Sequence, residues 1–164
     1  MEQMQTELWH TQNDLPERVR RDAISHLNQQ LADAVDLHLQ AKQAHWNVKG
    51  ANFFALHELF DAVGEELEEL ADEIAERAVV LGGTALGTAR TSAARSRLPV
   101  YPLQDISSAD HVTALSTALA AFAKSTRAAI DVATTQGDAV TADVFTGVGR
   151  GVDRLLWRVE AHNA

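Results

Sequence analysis

The chain has 164 residues, of which 46% are hydrophobic and 23% charged, with no cysteine and little glycine or proline; this bounds it to one globular domain (1–164) and excludes a disulfide framework, a thiolate metal site and a cysteine nucleophile. Aromatics are only 5% while Ala, Leu and Val are plentiful, so the core must come from packed helices and the expected class is all-α. A formal net charge of −9 repels phosphate backbones and concentrates cations, so a metal bound by His and carboxylates is favoured over DNA as a partner.

Residues 1–15 read as a flexible N-terminal tail without the basic and apolar regions of a secretory signal, and no apolar run approaches the roughly 20 residues that span a bilayer. The expected location is the cytoplasm, with nucleoid association as the alternative and no membrane partner. A first helix is predicted from about Pro16 to Val48, where Ile24, Leu27, Leu31, Ala34, Val35, His38 and His45 recur at helical spacing and Gly50 can end it. A second, about Asn52 to Leu81, carries Phe53, Leu56, Leu59, Phe60, Val63, Leu67, Leu70 and Ile74 and stops at Gly82-Gly83.

From Gly83 to about Ser107 the pattern breaks at Gly87, Pro99 and Pro102, in a stretch long enough to cross the length of a bundle. A third helix, about Ser108 to Thr135, opens on a Ser107/Ser108 cap, and a fourth follows Gly137-Asp138 with Val140, Val144, Val148, Val152, Leu155, Leu156 and Val159. Two hairpins joined by one long crossover between helices 2 and 3 make a ferritin-like four-helix bundle.

The chemistry concentrates in His45, His57, Asp61, Asp72 and Glu76. On the second helix the last four lie at about 0, 40, 60 and 100° and share one stripe, yet Asp61 and Asp72 are about 16 Å apart along the axis, too far for one metal site. A second copy packed antiparallel about a two-fold resolves this, because such packing sets residues opposite each other when their numbers have a constant sum. The pairs 57/76 and 61/72 both add to 133. His57 and Asp61 of one subunit then face the partner's Glu76 and the partner's Asp72, and a chain reversal near Ala51 brings His45 opposite His57. Two imidazoles and three carboxylates suit Fe(II), Mn(II) or Zn(II), and positions left open to an oxidant suit redox turnover. Taken singly, the same residues read as a solvated helix face, and the shared sum is what argues against that for the set.

The string Lys42-Gln43-Ala44-His45-Trp46-Asn47-Val48-Lys49-Gly50-Ala51-Asn52-Phe53, then His57-Glu58-x-x-Asp61, Asp72-x-x-x-Glu76-Arg77-Ala78 and Leu81-Gly82-Gly83, resembles the signature of the Dps mini-ferritins, with Tyr101-Pro102-Leu103 and Leu155-Leu156-Trp157 similar to that family's crossover and last helix. The resemblance implies a ferroxidase that binds Fe(2+), holds Fe(3+) as mineral in a hollow homo-dodecamer built from two-fold dimers, and prefers hydrogen peroxide to dioxygen. It also implies the ligands residue by residue: His45, His57 and Asp61 from one subunit, Asp72 and Glu76 from the other.

Other signals have plainer readings beside the functional ones. Trp46 reads as core packing or as a group beside the metal, and His38 as a hydrogen-bonded histidine or an accessory metal position. Glu65 and Glu68 also add to 133 and would face each other across the two-fold, as a metal relay or splayed outward. Glu66, Glu69 and Glu73 read as a wet face, while Asp131, Asp138 and above all Asp143 are candidates for an acidic pore that admits iron. Glu7-Leu8-Trp9-His10 has Glu-x-x-His spacing without a partner dyad, and Gly82-Gly83-x-x-x-Gly87 lacks the Lys-Ser/Thr of a phosphate loop. No Lys or Arg precedes Arg18, so DNA binding is expected to be weak or absent, through Arg18, Arg20 and Arg21 or Arg90, Arg95 and Arg97 if at all. A non-enzymatic helical interaction protein and a bacterioferritin-like protein are the alternatives; the second needs paired Glu-x-x-His dyads inside one bundle, which the helices lack.

Overall fold

The computed structural model describes residues 7–104 and 106–162. Five helices follow one another: α1 (Glu17–Asn47), α2 (Phe53–Val80), α3 (Ala89–Arg95), α4 (Ser108–Thr135) and α5 (Ala139–Glu160), with no strand among the described residues. The four long helices match the expected ones to within a residue or two. The short α3, with Thr88 as its cap, was not anticipated inside the crossover.

Their ends have local causes. Pro16, with φ −54° and ψ 139°, sits just before α1 in a conformation that its ring favours. Gly50, at φ 104°, turns the chain between α1 and α2 in a region that residues with a Cβ avoid. Ser107 and Asp110 form a reciprocal capping box at the start of α4, and Asp138 accepts from Thr141 N–H at 3.0 Å to cap α5.

The hairpins α1/α2 and α4/α5 pack with α1 against α4 and α2 against α5, enclosing Leu27, Leu37, Phe60, Leu67, Ile74, Leu115, Leu119, Phe122, Phe145 and Leu155 without solvent exposure or nearly so. Burying side chains of this size contributes roughly 1.5–3 kcal/mol each before the entropy of ordering them is subtracted. A buried ion pair at 2.9 Å between Arg77 of α2 and Asp138 fastens the hairpins at one end.

The crossover lies on α1. An irregular segment cannot satisfy its own main chain, so side chains do it. Asn28 donates to Thr84 C=O and accepts from Leu86 N–H, Gln29 donates to Arg95 C=O, and Gln40 donates to Pro99 C=O. Asp33, 1% exposed, accepts from the Arg97 main chain at 2.8 Å and from its guanidinium at 2.5 Å.

Of the expected tail, Glu7–Leu15 falls within the described residues. Trp9 N–H donates to Gly82 C=O at 2.7 Å, and Leu8 and Leu15 pack on the core. Met1–Thr6 lie outside the described residues. Trp46 is not a core residue: it is 65% exposed, together with Phe54, Val100, Leu103 and Trp157. No helix among the described residues is long and apolar enough to cross a membrane.

Candidate metal centre

The α1/α2 turn places His45 and His57 side by side, their rings stacked with centroids 3.8 Å apart and planes 22° from parallel. Nδ1 of His45 lies 2.8 Å from the carbonyl oxygen of His57, and Nδ1 of His57 lies 2.8 Å from that of His45. A carbonyl only accepts, so both Nδ1 atoms carry a proton, and in the neutral ring the lone pair lies on Nε2. This is the tautomer that a metal ligand needs, and it is fixed by the main chain before any ion arrives. Phe53 covers the other side of His57 at 5.0 Å between ring centroids.

One turn beyond His57, Asp61 brings Oδ1 to 3.9 Å from His45 Nε2. The same oxygen accepts from Lys42 Nζ at 2.5 Å. That bond holds the Asp61 carboxyl below the ordinary carboxylate range, against partial desolvation and with help from the neighbouring imidazoles. Gly64 lies under the Lys42 stem, where a Cβ would come within 3.1 Å of Cδ and the stem would have to shift by a few tenths of an ångström. Lys42 was overlooked as a site residue in the sequence; the available signal was its place one turn before His45 on the same face.

Asp72 and Glu76 are exposed on α2 on the far side of its midpoint. The single chain therefore brings His45, His57 and Asp61 to one end of the hairpin and leaves Asp72 and Glu76 about 16 and 22 Å from Asp61 along α2. Among the described residues no group of three or more His, Asp or Glu is close enough to hold a metal ion.

Other candidates fall differently. Glu66 is no wet-face residue: it pairs with Arg154 and, at 3.6 Å, with Arg158 of α5. Asp138 is 1% exposed and engaged by Arg77 and Thr141, so it cannot line a pore, whereas Asp131 and Asp143 are exposed. Glu7 and His10 sit in a non-helical stretch, so their spacing does not place them on one helix face.

The ferritin-like domain model matches residues 24–164. The chain is 44% identical over 152 residues to the DNA protection during starvation protein of Agrobacterium fabrum, covering 93% of this chain and 94% of that one. The chain belongs to the Dps branch of the ferritin-like family. DpsC from Streptomyces coelicolor superposes on this Dps chain with a TM-score of 0.93 at 29% identity, over 100% of this chain and 95% of that one. DpsA14 from the same organism gives 0.89 at 30% identity, over 96% and 94%. The all-α class, the four long helices and the crossover between the second and third of them are those of the family.

Proposed function

We propose that this Dps chain oxidises Fe(II), with hydrogen peroxide as the preferred oxidant, at sites shared between two-fold-related subunits, and stores the Fe(III) as mineral in a hollow dodecamer, protecting the cell from oxidative damage. The observation that carries the reading is the reciprocal His45–His57 pair, which leaves two Nε2 lone pairs free beside an ionised Asp61.

Iron is the substrate. Two imidazoles and Asp61 on one subunit offer a partial donor set, which the partner's Asp72 and the partner's Glu76 complete in the antiparallel register. Lys42 occupies Asp61 Oδ1, so Fe(II) either takes the other carboxylate oxygen or displaces the ammonium. Because both histidines are already oriented, binding needs no tautomer change, and the cost of organising the donors is met by folding. Two Fe(II) ions each give one electron to hydrogen peroxide; with two protons the O–O bond is cleaved to two waters and two Fe(III) remain. Taking both electrons together avoids release of a hydroxyl radical.

The assembly is supported by the large apolar side chains left exposed on one subunit, Trp46, Phe54 and Trp157 among them. The net charge of −9 supports weak or absent DNA binding and a shell that attracts cations. The test is Fe(II) oxidation after anaerobic addition of stoichiometric peroxide, comparing wild type with His57→Ala plus Asp61→Ala and following oligomer mass in both. Rapid oxidation lost in the variant while assembly persists is the expected result; equal rates overturn the site.

A further inference from the structure

The chain has a single tyrosine, Tyr101, which the crossover lays against the first turn of α4. It is 8% exposed, and its hydroxyl lies 2.5 Å from Nδ1 of His111, itself 1% exposed. Burial holds the phenol above its ordinary range, so it stays protonated and donates, with Nδ1 as the acceptor. The ring proton of His111 then sits on Nε2, which is buried without a well-formed hydrogen bond. Burial lowers the affinity of this imidazole for a second proton, while the main chain of Asn47 beside it favours the charged ring. The pair is thus a buried O–H with a base one hydrogen bond away and a polar group placed to meet the charge that the base would take on.

A phenol bonded to a base gives up an electron more easily than a free one, because its proton crosses to the base in the same event. This pair lies close behind the proposed oxidation site. The rings of His111 and Phe60 are 6.4 Å apart between centroids, Phe60 directly precedes Asp61 on α2, and Asn47 stands two residues after His45 on α1. Phe60 has no solvent exposure, so packed side chains and not water fill the interval. The three tryptophans, Trp9, Trp46 and Trp157, are each at least 65% exposed, and an indole oxidised there loses its proton to water. At Tyr101 the proton stays within the pair, which makes the oxidation reversible.

Hydrogen peroxide takes two electrons, and a site holding one Fe(II) supplies only one. We infer that the Tyr101–His111 pair is a reversible redox site that supplies the other; the inference rests on the reading that Fe(II) is oxidised beside His45, His57 and Asp61. Fe(II) and Tyr101 each give one electron to the peroxide, and two protons from solvent complete two waters. The phenol proton moves to Nδ1 of His111, leaving Fe(III), a neutral tyrosyl radical and an imidazolium. A further Fe(II) then returns the electron to Tyr101 and becomes Fe(III), His111 returns the proton, and the pair is restored. The hydroxyl radical that a lone Fe(II) would otherwise release is not formed.

Electron paramagnetic resonance on the assembled protein tests this, with one Fe(II) loaded anaerobically per proposed site, stoichiometric peroxide added and the sample frozen at once. Wild type is expected to give a tyrosyl signal that ring-deuterated tyrosine narrows, a label that reports on Tyr101 alone. Tyr101→Phe, which removes only the hydroxyl, and His111→Gln, which removes the base, are expected to lose that signal and to release hydroxyl radical to a spin trap, while oxidation with two Fe(II) per site stays as fast as in wild type. A tryptophan signal that the label does not change, or no protein radical, with Fe(II) still oxidised, overturns this inference and leaves the oxidation site standing. Fe(II) oxidation that is equally fast in His57→Ala plus Asp61→Ala overturns the oxidation site instead, and a tyrosyl signal that survives in that variant overturns the link between the two.

Discussion

His45 and His57 each donate their Nδ1–H to the other's main-chain carbonyl, both at 2.8 Å. Each imidazole thus holds the other's backbone in place, and replacing one disturbs both. His57→Ala is expected to weaken Fe(II) or Zn(II) binding by at least tenfold, within the 10–100-fold typical for lost metal-site support, and to cost about 1 kcal/mol of stability through the missing hydrogen bond. Calorimetric metal titration and thermal melts read the two effects separately; unchanged affinity would remove His57 from the site.

Lys42 holds Asp61 Oδ1, and in the proposed site it would compete with a metal for that oxygen. Lys42→Met keeps the apolar stem over Gly64 and removes the charge, so Co(II) or Zn(II) affinity is expected to rise by about tenfold, the equivalent of about 1.4 kcal/mol in a released charge contact. Metal titration at neutral pH checks the sign, and weaker binding would mean that Lys42 supports the site.

Asp33 is the buried anchor of the crossover, accepting from the main chain and side chain of Arg97. Asp33→Ala should cost about 2 kcal/mol or more, since hydrogen bonds to a charged group are lost in a buried setting. The damage should be local: limited trypsin digestion is expected to cut faster at Arg90, Arg95 and Arg97 than in wild type.

His111, 1% exposed, is bonded through Nδ1 to Tyr101 Oη at 2.5 Å, and burial holds its imidazole below the usual histidine range. A group with a depressed folded pKa contributes stability above its unfolded value, near 6.5, and loses it as pH falls through the folded value. The melting temperature is therefore expected to fall between pH 7.5 and 5.5. In His111→Gln that part of the slope should be absent, and equal slopes in both proteins would assign it to other groups.

The helices were readable because the apolar spacing of residues such as Leu27, Leu31, Phe60 and Leu67 follows the helical period, and because Gly50, Gly82 and Ser107 mark the ends. The segment after Gly83 was readable only as a break in that period. Its α3 has seven residues and buries just Ser92, so it leaves almost no periodic trace. Polar α1 residues such as Asp33 and Asn28 gave no warning of their burial, because their partners are main-chain groups more than 50 positions away. The same limit hid the carbonyl partners of His45 and His57. Of the two readings of Trp46, core packing fails because its position on α1 puts it outside.

The row of side chains from Asn28 to Gln40 that holds the crossover also restricts how copies of the chain can combine. Two hairpins joined by a long connection could in principle be traded between neighbouring subunits, each completing the other's bundle. Here the connection is tied to the α1 of its own chain as far as Pro99, so such an exchange would have to hinge after it or break the contacts of Asp33 and its neighbours. Each chain thus carries within itself the groups that hold its two hairpins in one bundle.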